Sequence, residues 1–538
     1  MSDQTDDLHG FAQKSGVLDE ETLNQMKRAE KPTVVVPGGS VTISQSAEEL
    51  YGHIAPHEKL FLRDGNVYQL LEKHGQKVLE LLKPASACSK FEEFVNFGKW
   101  IKDDEGKPKL VPTVLNKEAA EKYLAAAAVD LLPEIRGMIN CPILVERDGE
   151  LHIVQNGYDP VTKLFVSSAV QLRPVTLENA IFYLKGVLQE FDFQTAADRS
   201  RAVASLITPA MKFGGFLKNP IPADVAEADQ SQAGKTHRQI ITAAIYNEKV
   251  NLVIKKEGGG VGSLDESFGT CLVEGRPFIQ FDNVRGKMNS QLLESFLTAT
   301  GPFPARPAYS KTVSIDPSKF AIFINSNGYE ATKDLSNRSS IIRIKKRPGH
   351  PFKDMLGFVK QAQPVFLASV FAVIEEWHGR GKPKTTDTRH DFREWSQTLD
   401  WIVQNILGEA PLMDGHIEAQ RRVSSTGSTF LRAVALAVEE KKQLKHKLRA
   451  TEIVTLCQQA TISVPGLSAD KRNDQSAVAM AVGKVLGDLF AEMGDRIDIE
   501  DFVVTRFIEK ASGDSEKEFE SKTYLFARNA RGNNRNAS

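Results

Sequence analysis

The sequence has no long hydrophobic run, no paired cysteines and no excess of charge of either sign. The four cysteines, Cys88, Cys141, Cys271 and Cys457, form no Cys-x-x-Cys pair, which excludes a zinc ribbon or a disulfide framework. No apolar run reaches the roughly 18 residues of a membrane span, and the acidic N-terminus lacks a secretory signal. Since 68 basic and 69 acidic residues nearly cancel, no overall field attracts nucleic acid. These absences predict a soluble cytoplasmic protein with no membrane partner.

The length of 538 residues predicts several domains, because one domain typically takes about 150 residues. Composition shifts and changes in hydrophobic period give the boundaries. We predict a disordered arm at 1–30, an α+β N-terminal domain at 31–175, an α/β core at 176–350, a helical lid or linker at 351–423, a small helix-and-strand domain at 424–529 and a disordered tail at 530–538.

The N-terminal domain shows strand-like runs interrupted by two Asp-Gly pairs. Asp64-Gly65 and Asp148-Gly149 each separate two such runs, which predicts two β-hairpins. The domain has no metal-ligand spacing, no nucleophile motif and no glycine-rich phosphate loop. Its sequence therefore indicates only a binding or assembly module of unknown role.

Strands and helices alternate through the core. Val250 to Ile254, Pro277 to Phe281 and Phe320 to Ile324 are short apolar runs, as expected of strands buried on both faces. Leu264, Phe268 and neighbouring apolar residues repeat with helical spacing between the first two runs. This alternation predicts an α/β sheet of parallel strands.

A phosphate-binding loop is predicted at Ala233-Gly-Lys-Thr236, between a short apolar run and an amphipathic helix. In such a loop backbone N–H groups surround phosphate oxygens, Lys235 reaches the β- and γ-phosphates, and the Thr236 hydroxyl binds Mg²⁺. The loop pattern requires glycine where this sequence has Asp229, so weakened or lost hydrolysis is an open alternative. The predicted nucleotide-binding residues are Asp229, Ala233, Gly234, Lys235, Thr236 and His237.

Two later strands end in polar residues. Phe278 to Phe281 leads into Asp282 and Asn283, and a carboxylate at this place suits the water shell of Mg²⁺. The run beginning at Phe320 ends in Asn325 and Asn327, amides suited to orienting water or sensing phosphate. Lysine and threonine, aspartate and asparagine delivered by three strands to one sheet edge predict an additional-strand NTPase that uses ATP and Mg²⁺.

The run from Phe193 to Lys346 resembles the AAA+ ATPases of phage, plasmid and integrated-element replication proteins. These are related to superfamily-three helicases and poxvirus-type primase-helicases. The resemblance rests on Phe281-Asp-Asn-Val-Arg-Gly286, similar to their Walker B segment, and Ile324-Asn-Ser-Asn327, similar to their sensor strand.

The resemblance implies roles for single residues. It makes Lys235 and Thr236 phosphate and Mg²⁺ ligands, Asp282 the Walker B carboxylate and Asn325 the sensor. It makes Arg338 a candidate arginine finger supplied to the next subunit, with Arg306 and Arg343 as rivals. Asn283 stands where many such proteins have the catalytic glutamate, which leaves the general base open between Glu266 and Glu294.

A DNA-contacting hairpin is implied before the sensor strand. The matching interval runs from Arg306 to Ile315, in which Arg306 and Lys311 would meet phosphate and Tyr309 would meet a base. An ordinary surface hairpin is the alternative interpretation.

A C-terminal winged helix is predicted from two helices, Thr451 to Gln459 and Ser476 to Ala491, followed by two strands. The second helix has few basic residues and the wing is acidic, so a protein contact and DNA binding stay equally open. Lys441, Lys442, Lys445, Lys447 and Arg449 form a stronger basic patch.

The function expected from the sequence is an ATP-dependent helicase or translocase in the DNA replication of a mobile genetic element. The partners expected are single-stranded or forked DNA, further copies in a homo-oligomeric ring of six, and a primase or other replication protein. A nucleotide-dependent assembly switch or protein-remodelling factor is one alternative. A DNA-binding regulator with an inert ATPase core is another.

Overall fold

A computed structural model describes residues 31–73, 76–228, 233–253, 263–284, 287–306, 312–347, 353–424, 426–467, 471, 474–499, 502–512 and 518–528. These residues divide into two compact units. The front unit comprises 31–143 and 153–170, and the large unit comprises 144–152 and 171–528. The protein is thus a mixed α/β chain of more than one domain.

Short helices and small sheets make up the first part of the chain. Its elements are β1 (Thr33–Val35), α1 (Ile43–Ile54), β2 (Leu60–Arg63), β3 (Asn66–Lys73), β4 (Gln76–Leu81), α2 (Pro84–Glu92), β5 (Asn96–Lys102), β6 (Pro108–Pro112), α3 (Lys117–Leu124), β7 (Gly137–Ile139), β8 (Ile143–Arg147), β9 (Glu150–Val154), β10 (Gly157–Asp159) and β11 (Leu164–Val166). The strands pair in the orders β1-β5-β6, β2-β3-β4, β10-β11-β7 and β8-β9.

Both hairpins predicted at Asp-Gly pairs are confirmed. Asp64 and Gly65 join β2 to β3 with φ of 52° and 67°, and Asp148 and Gly149 join β8 to β9 with φ of 52° and 85°. Two successive residues with positive φ are what a two-residue hairpin turn requires, and aspartate and glycine tolerate this geometry well.

A central six-stranded sheet organises the large unit. Its elements are α4 (Leu177–Val187), β12 (Asp192–Phe193), α5 (Ala196–Phe213), β13 (Ala223–Ala228), α6 (Lys235–Ile245), β14 (Asn251–Val253), α7 (Leu264–Glu274), β15 (Phe278–Val284), β16 (Lys287–Met288), α8 (Gln291–Thr298), β17 (Phe303–Ala305), β18 (Val313–Ile315), β19 (Ala321–Asn327), β20 (Glu330–Ala331), α9 (Lys333–Asn337) and β21 (Ser339–Lys345).

The sheet has the strand order β12-β21-β13-β19-β15-β14. Strands β21, β13, β19, β15 and β14 are mutually parallel, and β12 runs antiparallel to β21 at the edge. All six residues of β13 are buried, as expected for a parallel strand covered on both faces. The predicted parallel α/β sheet is confirmed, and the carboxyl ends of β13, β19 and β15 meet at one edge.

Helices and a second sheet complete the large unit. Its remaining elements are α10 (Met355–Gln361), α11 (Gln363–Gly379), α12 (Arg393–Asn405), α13 (His416–Ser424), α14 (Thr426–Glu440), β22 (Lys447–Arg449), α15 (Ala450–Gln459), α16 (Gln475–Met493), β23 (Arg496–Ile499), β24 (Phe502–Ser512) and β25 (Glu518–Arg528). The sheet order is β22-β25-β24-β23, and α14, α15 and α16 pack on this sheet around a separate apolar core. The sequence predicted α15, α16 and the final hairpin but not α14, β22 or β23.

Among the described helices, no single one has the length and apolar composition to cross a membrane, although α10 and α11 pass that test together as a pair bent by 83°.

Candidate functional site

The segment between β13 and α6 forms the start of the site. Helix α6 begins at Lys235, directly after Gly234, whose φ of 89° lies in the left-handed region. The left-handed backbone favours glycine, and a Cβ atom at this position would lie 3.0 Å from the Phe191 ring, a tight contact that favours glycine as well. Gly234 supplies no side-chain cap to α6, and the amino terminus of a helix favours a nearby anion. Ala233 is buried, and Asp229 lies outside the described residues.

Lys235 points its ammonium group at the neighbouring strand. Its Nζ donates a hydrogen bond of 2.5 Å to Oδ1 of Asn327, the last residue of β19. The side chain of Lys235 is largely buried. A cation thus stands at the carboxyl edge of the sheet, beside the start of α6.

Asn325 connects the start of α6 to the end of β15. Its Nδ2 donates to Oγ1 of Thr236 at 3.0 Å and to Oδ1 of Asp282 at 2.7 Å. Thr236 Oγ1 itself lies 3.4 Å from the same carboxylate oxygen. Asn325 is buried, whereas Asp282 is exposed. The structure therefore brings together Thr236, Asp282 and Asn325, three residues that the sequence predicted for one site.

Asn283 holds the end of β15 in a strained conformation. Its φ is 50°, and the pairing of β15 with β19 shifts register between Phe281 and Val284. The N–H of Asn283 donates to Oδ1 of Asn325 at 2.6 Å. Asparagine tolerates left-handed geometry better than most residues do, because its short polar side chain bonds locally. The side-chain amide of Asn325 therefore bonds both to the Asn283 backbone and to the Asp282 carboxylate, and so fixes Asp282 beside the bulge.

We expect Asn283→Val to destabilise the protein by about 1–2 kcal/mol, because a β-branched side chain is costly at positive φ. Asn283→Gly, which tolerates the same φ, should stay within about 0.5 kcal/mol of the wild type. Thermal unfolding followed by circular dichroism measures both. Equal unfolding temperatures for the valine and glycine variants would contradict the assigned backbone geometry.

The side chains that follow Thr236 anchor α6 in the core. Arg238 pairs bidentately with the Asp224 carboxylate on β13, with one N–H···O distance of 3.0 Å. Gln239 Nε2 donates to the carbonyl oxygens of Asp224 and Ile324, both at 3.0 Å, and Gln239 Oε1 accepts from Gln280 at 2.7 Å. These buried bonds tie the helix to β13, β19 and β15.

The ammonium, hydroxyl and carboxylate groups at this edge suit the binding of a phosphate group together with Mg²⁺. Mg²⁺ takes oxygen ligands and keeps several waters, so one hydroxyl and one carboxylate beside a phosphate suffice, and Thr236 and Asp282 supply these oxygens. Within the described ranges no three His, Cys, Asp or Glu residues are placed to hold a metal ion together. His237 lies beside Phe191. Burial lowers the pKa of His237 below its usual value, although Asp354 partly opposes this shift. The lowered pKa favours the neutral ring near pH 7.

The candidate arginines have partners within their own chain. Nη1 of Arg338 donates to the Glu294 carbonyl oxygen at 2.8 Å. Arg343 lies 3.6 Å from a carboxylate oxygen of Asp198, and Arg306 is exposed directly after β17. The β17–β18 pairing is antiparallel, as the predicted hairpin requires, while Tyr309 and Lys311 lie outside the described residues.

The two carboxylates considered as general base make local bonds. Glu266 completes a capping box with Ser263 at the start of α7. Glu294 accepts a hydrogen bond from the hydroxyl of Thr332. Neither contact involves Asp282 or Thr236, so these bonds connect neither carboxylate to the site.

A buried ion pair at the end of β13 was not predicted. Glu227 accepts two hydrogen bonds from Arg422 on α13, one of them 2.7 Å long, and a third of 3.1 Å from the Tyr329 N–H. Both charged side chains are almost fully buried. A glutamate inside the apolar run of β13 was the available sequence signal, because a buried charge requires a partner.

Solved structures that align with the chain include two described as helicases. One, "SCCmec type IV Cch - active helicase", is 10% identical, covers 87% of this chain and 97% of its own, and has a TM-score of 0.29. A JCV helicase with a bound small molecule is 11% identical, covers 46% of this chain and 73% of its own, and has a TM-score of 0.21. No protein-family model and no curated protein matches the sequence. At these TM-scores the alignments carry no argument about fold or function.

Proposed function

We propose that the protein is a Mg²⁺-dependent ATPase of the additional-strand AAA+ class that moves along DNA during replication of a mobile genetic element. The observation that carries the proposal is the hydrogen-bonded group of Thr236, Asp282 and Asn325 beside Lys235. A cation, a hydroxyl, a carboxylate and an amide at one strand edge are the groups that phosphoryl transfer needs.

Strand order supports the additional-strand assignment. In the sheet, β19 lies between β13, which precedes the phosphate loop, and β15, which ends in Asp282. The inserted strand presents Asn325 between Thr236 and Asp282, where the amide can orient a water against the terminal phosphate. Asn325 of β19 therefore lies at the centre of the proposed site.

Each side chain then has a role in hydrolysis. N–H groups at the start of α6 and the Lys235 ammonium group bind the β- and γ-phosphates. Thr236 and Asp282 would hold Mg²⁺, which would supply positive charge against the charge that develops on the phosphate oxygens. Asn325 exchanges its bond to Thr236 for the attacking water, which it positions through Nδ2, while its Oδ1 stays on the Asn283 N–H.

Lys235 also connects nucleotide binding to the sensor strand. Its ammonium group bonds to Asn327 at the end of β19. Phosphate attracts the same ammonium group, so nucleotide binding weakens that bond and changes the end of β19. Asn327 is therefore a second sensor residue in this proposal.

The DNA-contacting part of the proposal rests on the hairpin before the sensor strand. Arg306 is exposed directly after β17, and the antiparallel pairing of β17 with β18 supports the proposed hairpin, whose Tyr309 and Lys311 lie outside the described residues. Arg338 serves as the arginine finger in a ring of six subunits. For that role its guanidinium must exchange the Glu294 carbonyl for the phosphate of the next subunit.

The order α14, β22, α15, α16 and the β24–β25 hairpin supports a C-terminal winged helix. A specific observation also favours a second function, a nucleotide-dependent assembly switch. Between Gln475 and Ala491 the charged residues of α16 are Lys484 and Asp488, and Met480 is 72% exposed. Such a face suits a protein contact better than phosphate.

Steady-state ATP hydrolysis by the wild type and Lys235→Ala, with and without single-stranded DNA and at two protein concentrations, tests the proposal. We expect Lys235→Ala to lose about 100-fold or more, because a charge aimed at the transition state is removed. Lys249→Ala, an exposed lysine of the same unit, should behave as the wild type.

DNA should raise the wild-type rate, and the rate per molecule should grow with concentration if sites form between subunits. Full activity of Lys235→Ala would overturn the ATPase assignment. Turnover no higher than that of Lys235→Ala, with nucleotide-dependent assembly in sedimentation, would favour the switch.

A further inference from the structure

The hairpin formed by β5 and β6 exposes apolar and cationic side chains together. Trp100 is 54% exposed, Ile101 40% and Leu110 38%. From Lys99 to Lys102 every residue of β5 is exposed, so both faces of this part of the hairpin meet solvent. Large apolar side chains that stay exposed to water contribute little to the stability of a two-stranded hairpin. Their exposure together on one hairpin therefore indicates a binding surface.

Trp100 differs from the other tryptophans of the chain. Trp377 and Trp395 are buried, and Trp401 carries the Arg380 guanidinium over its ring at 5.9 Å. Within the described ranges, no aromatic ring or cation lies against the Trp100 indole. Leu110 lies directly opposite Trp100 in the register and extends the apolar surface beside the ring. The indole face is available for stacking.

Three lysines project from the two faces of the hairpin without paired carboxylates among the described residues. Lys102 follows Trp100 on the same face of β5, while Lys99 and Lys109 project from the other face. Across the described residues, no acid lies within salt-bridge distance of these three ammonium groups. Acidic side chains occur only in the turn, where Asp103 accepts two backbone N–H bonds. The strands of the hairpin are therefore cationic.

The chemistry of the hairpin disfavours a protein partner. Cores of protein–protein interfaces are depleted in lysine, whereas surfaces that hold single strands combine lysine with exposed aromatic rings. Edge strand β6 contains Pro108 and Pro112, which lack the N–H donors that an added strand would need. Lysine on an edge strand also discourages strand pairing. Because β1 pairs only with Asn96 to Gly98 of β5, this applies to Lys99, Lys102 and Lys109 alike, but it does not account for the exposed Trp100 beside them.

We propose that the β5–β6 hairpin is a binding site for single-stranded nucleic acid. A base stacks on Trp100 beside Leu110, and the ammonium groups of Lys99, Lys102 and Lys109 neutralise backbone phosphates. The inference deepens the proposed function, since it assigns the front unit a contact with the DNA on which the large unit would act. A duplex offers only phosphates here, because its bases are already stacked.

Tryptophan fluorescence of the full-length protein, titrated with an oligothymidine strand or a duplex of equal length, tests the site. We expect the single strand to quench the emission and Trp100→Phe to remove the quenching while it keeps most of the affinity. Trp100→Ala should weaken single-strand binding about tenfold, because one stacking contact is lost. Phe182→Ala, which removes an aromatic ring 67% exposed on α4, is the matched control.

The lysines are tested through the salt dependence of binding. Replacing Lys99, Lys102 and Lys109 together by Gln should reduce the slope of log affinity against log salt concentration by about 2, since each phosphate contact contributes about 0.7 for a single strand. Replacing the exposed Lys83, Lys117 and Lys122 of the same unit should leave the slope unchanged.

Unchanged quenching and affinity in Trp100→Ala would overturn the inference, even in a protein whose hydrolysis depends on DNA and Lys235. Trp100-dependent binding by a protein without ATP turnover would keep the inference and reject the proposed motor. A Trp100→Ala variant that alters the sedimenting mass but not DNA affinity would identify the hairpin as a contact between copies, and this too would overturn the inference.

Discussion

Asn325→Asp should lower the rate of ATP hydrolysis by about 100-fold, the usual cost of removing one oriented donor from an active site. In the wild type the Asn325 amide donates to Asp282 and Thr236. The variant places a second carboxylate 2.7 Å from Asp282 Oδ1 and removes both donated bonds. The acceptor for the Asn283 N–H is retained, so the backbone of the bulge stays in place and the loss reports on the missing donor.

The deficit should depend on pH in a definite direction. Two adjacent carboxylates raise the pKa of one of them, because like charges disfavour the second ionisation. Below that raised pKa the extra proton restores a donor, so the rate relative to wild type should improve as pH falls and worsen as pH rises. Initial rates between about pH 5.5 and 8.5 measure this.

Asn405→Asp is the matched control, since Asn405 is an exposed asparagine on α12. It should leave the rate within twofold of the wild type. An Asn325→Asp variant with at least half of the wild-type rate at neutral pH would remove Asn325 from the proposed mechanism.

Glu227→Ala should destabilise the protein by about 3–5 kcal/mol, the usual cost of leaving one member of a buried ion pair alone. Arg422 would keep its buried guanidinium without the carboxylate that accepts two of its hydrogen bonds, and the Tyr329 N–H would lose its acceptor. Chemical denaturation followed by circular dichroism measures the change.

A double variant separates the ion pair from simple packing. Glu227→Gln combined with Arg422→Met removes both charges and should recover most of the loss, because a neutral pair avoids burying an uncompensated charge. Arg421→Met, which changes the exposed neighbouring arginine on α13, should stay within about 0.5 kcal/mol of the wild type. Equal losses in the double variant and in Glu227→Ala would contradict the ion-pair explanation.

Much of the candidate site was predictable because each of its residues is marked by a short sequence pattern of its own. Apolar runs that end in polar residues predict strands whose ends meet at one edge of a parallel sheet, and Asp282, Asn325 and the start of α6 follow this rule. The turns at Asp64 and Asp148 were predictable for a similar reason, since Asp-Gly suits positive φ. Function was then inferred from residue types whose chemistry is known.

The remaining features depend on register and on distant residues. The strained φ of Asn283 arises where β15 shifts against β19, and no propensity indicates that shift. Glu227 and Arg422 stand 195 positions apart, so neither period nor spacing connects them. The bond from Lys235 to Asn327 requires the end of β19 to extend two residues beyond Asn325, which is a property of the folded sheet.

The first turns of α6 carry two kinds of side chain, those at the sheet edge and those bonded to the strands, and this arrangement affects the conformational entropy of the helix. Lys235 and Thr236 face the sheet edge, while Arg238 and Gln239, only a few positions later, are fixed by buried hydrogen bonds to the strands below. Under the proposed function, a phosphate bound at this helix would meet N–H groups that have already lost their conformational freedom during folding. Ordering a loose segment on binding reduces affinity, and α6 would largely avoid that loss because its own sequence contains both the groups proposed to bind phosphate and the side chains that anchor the helix.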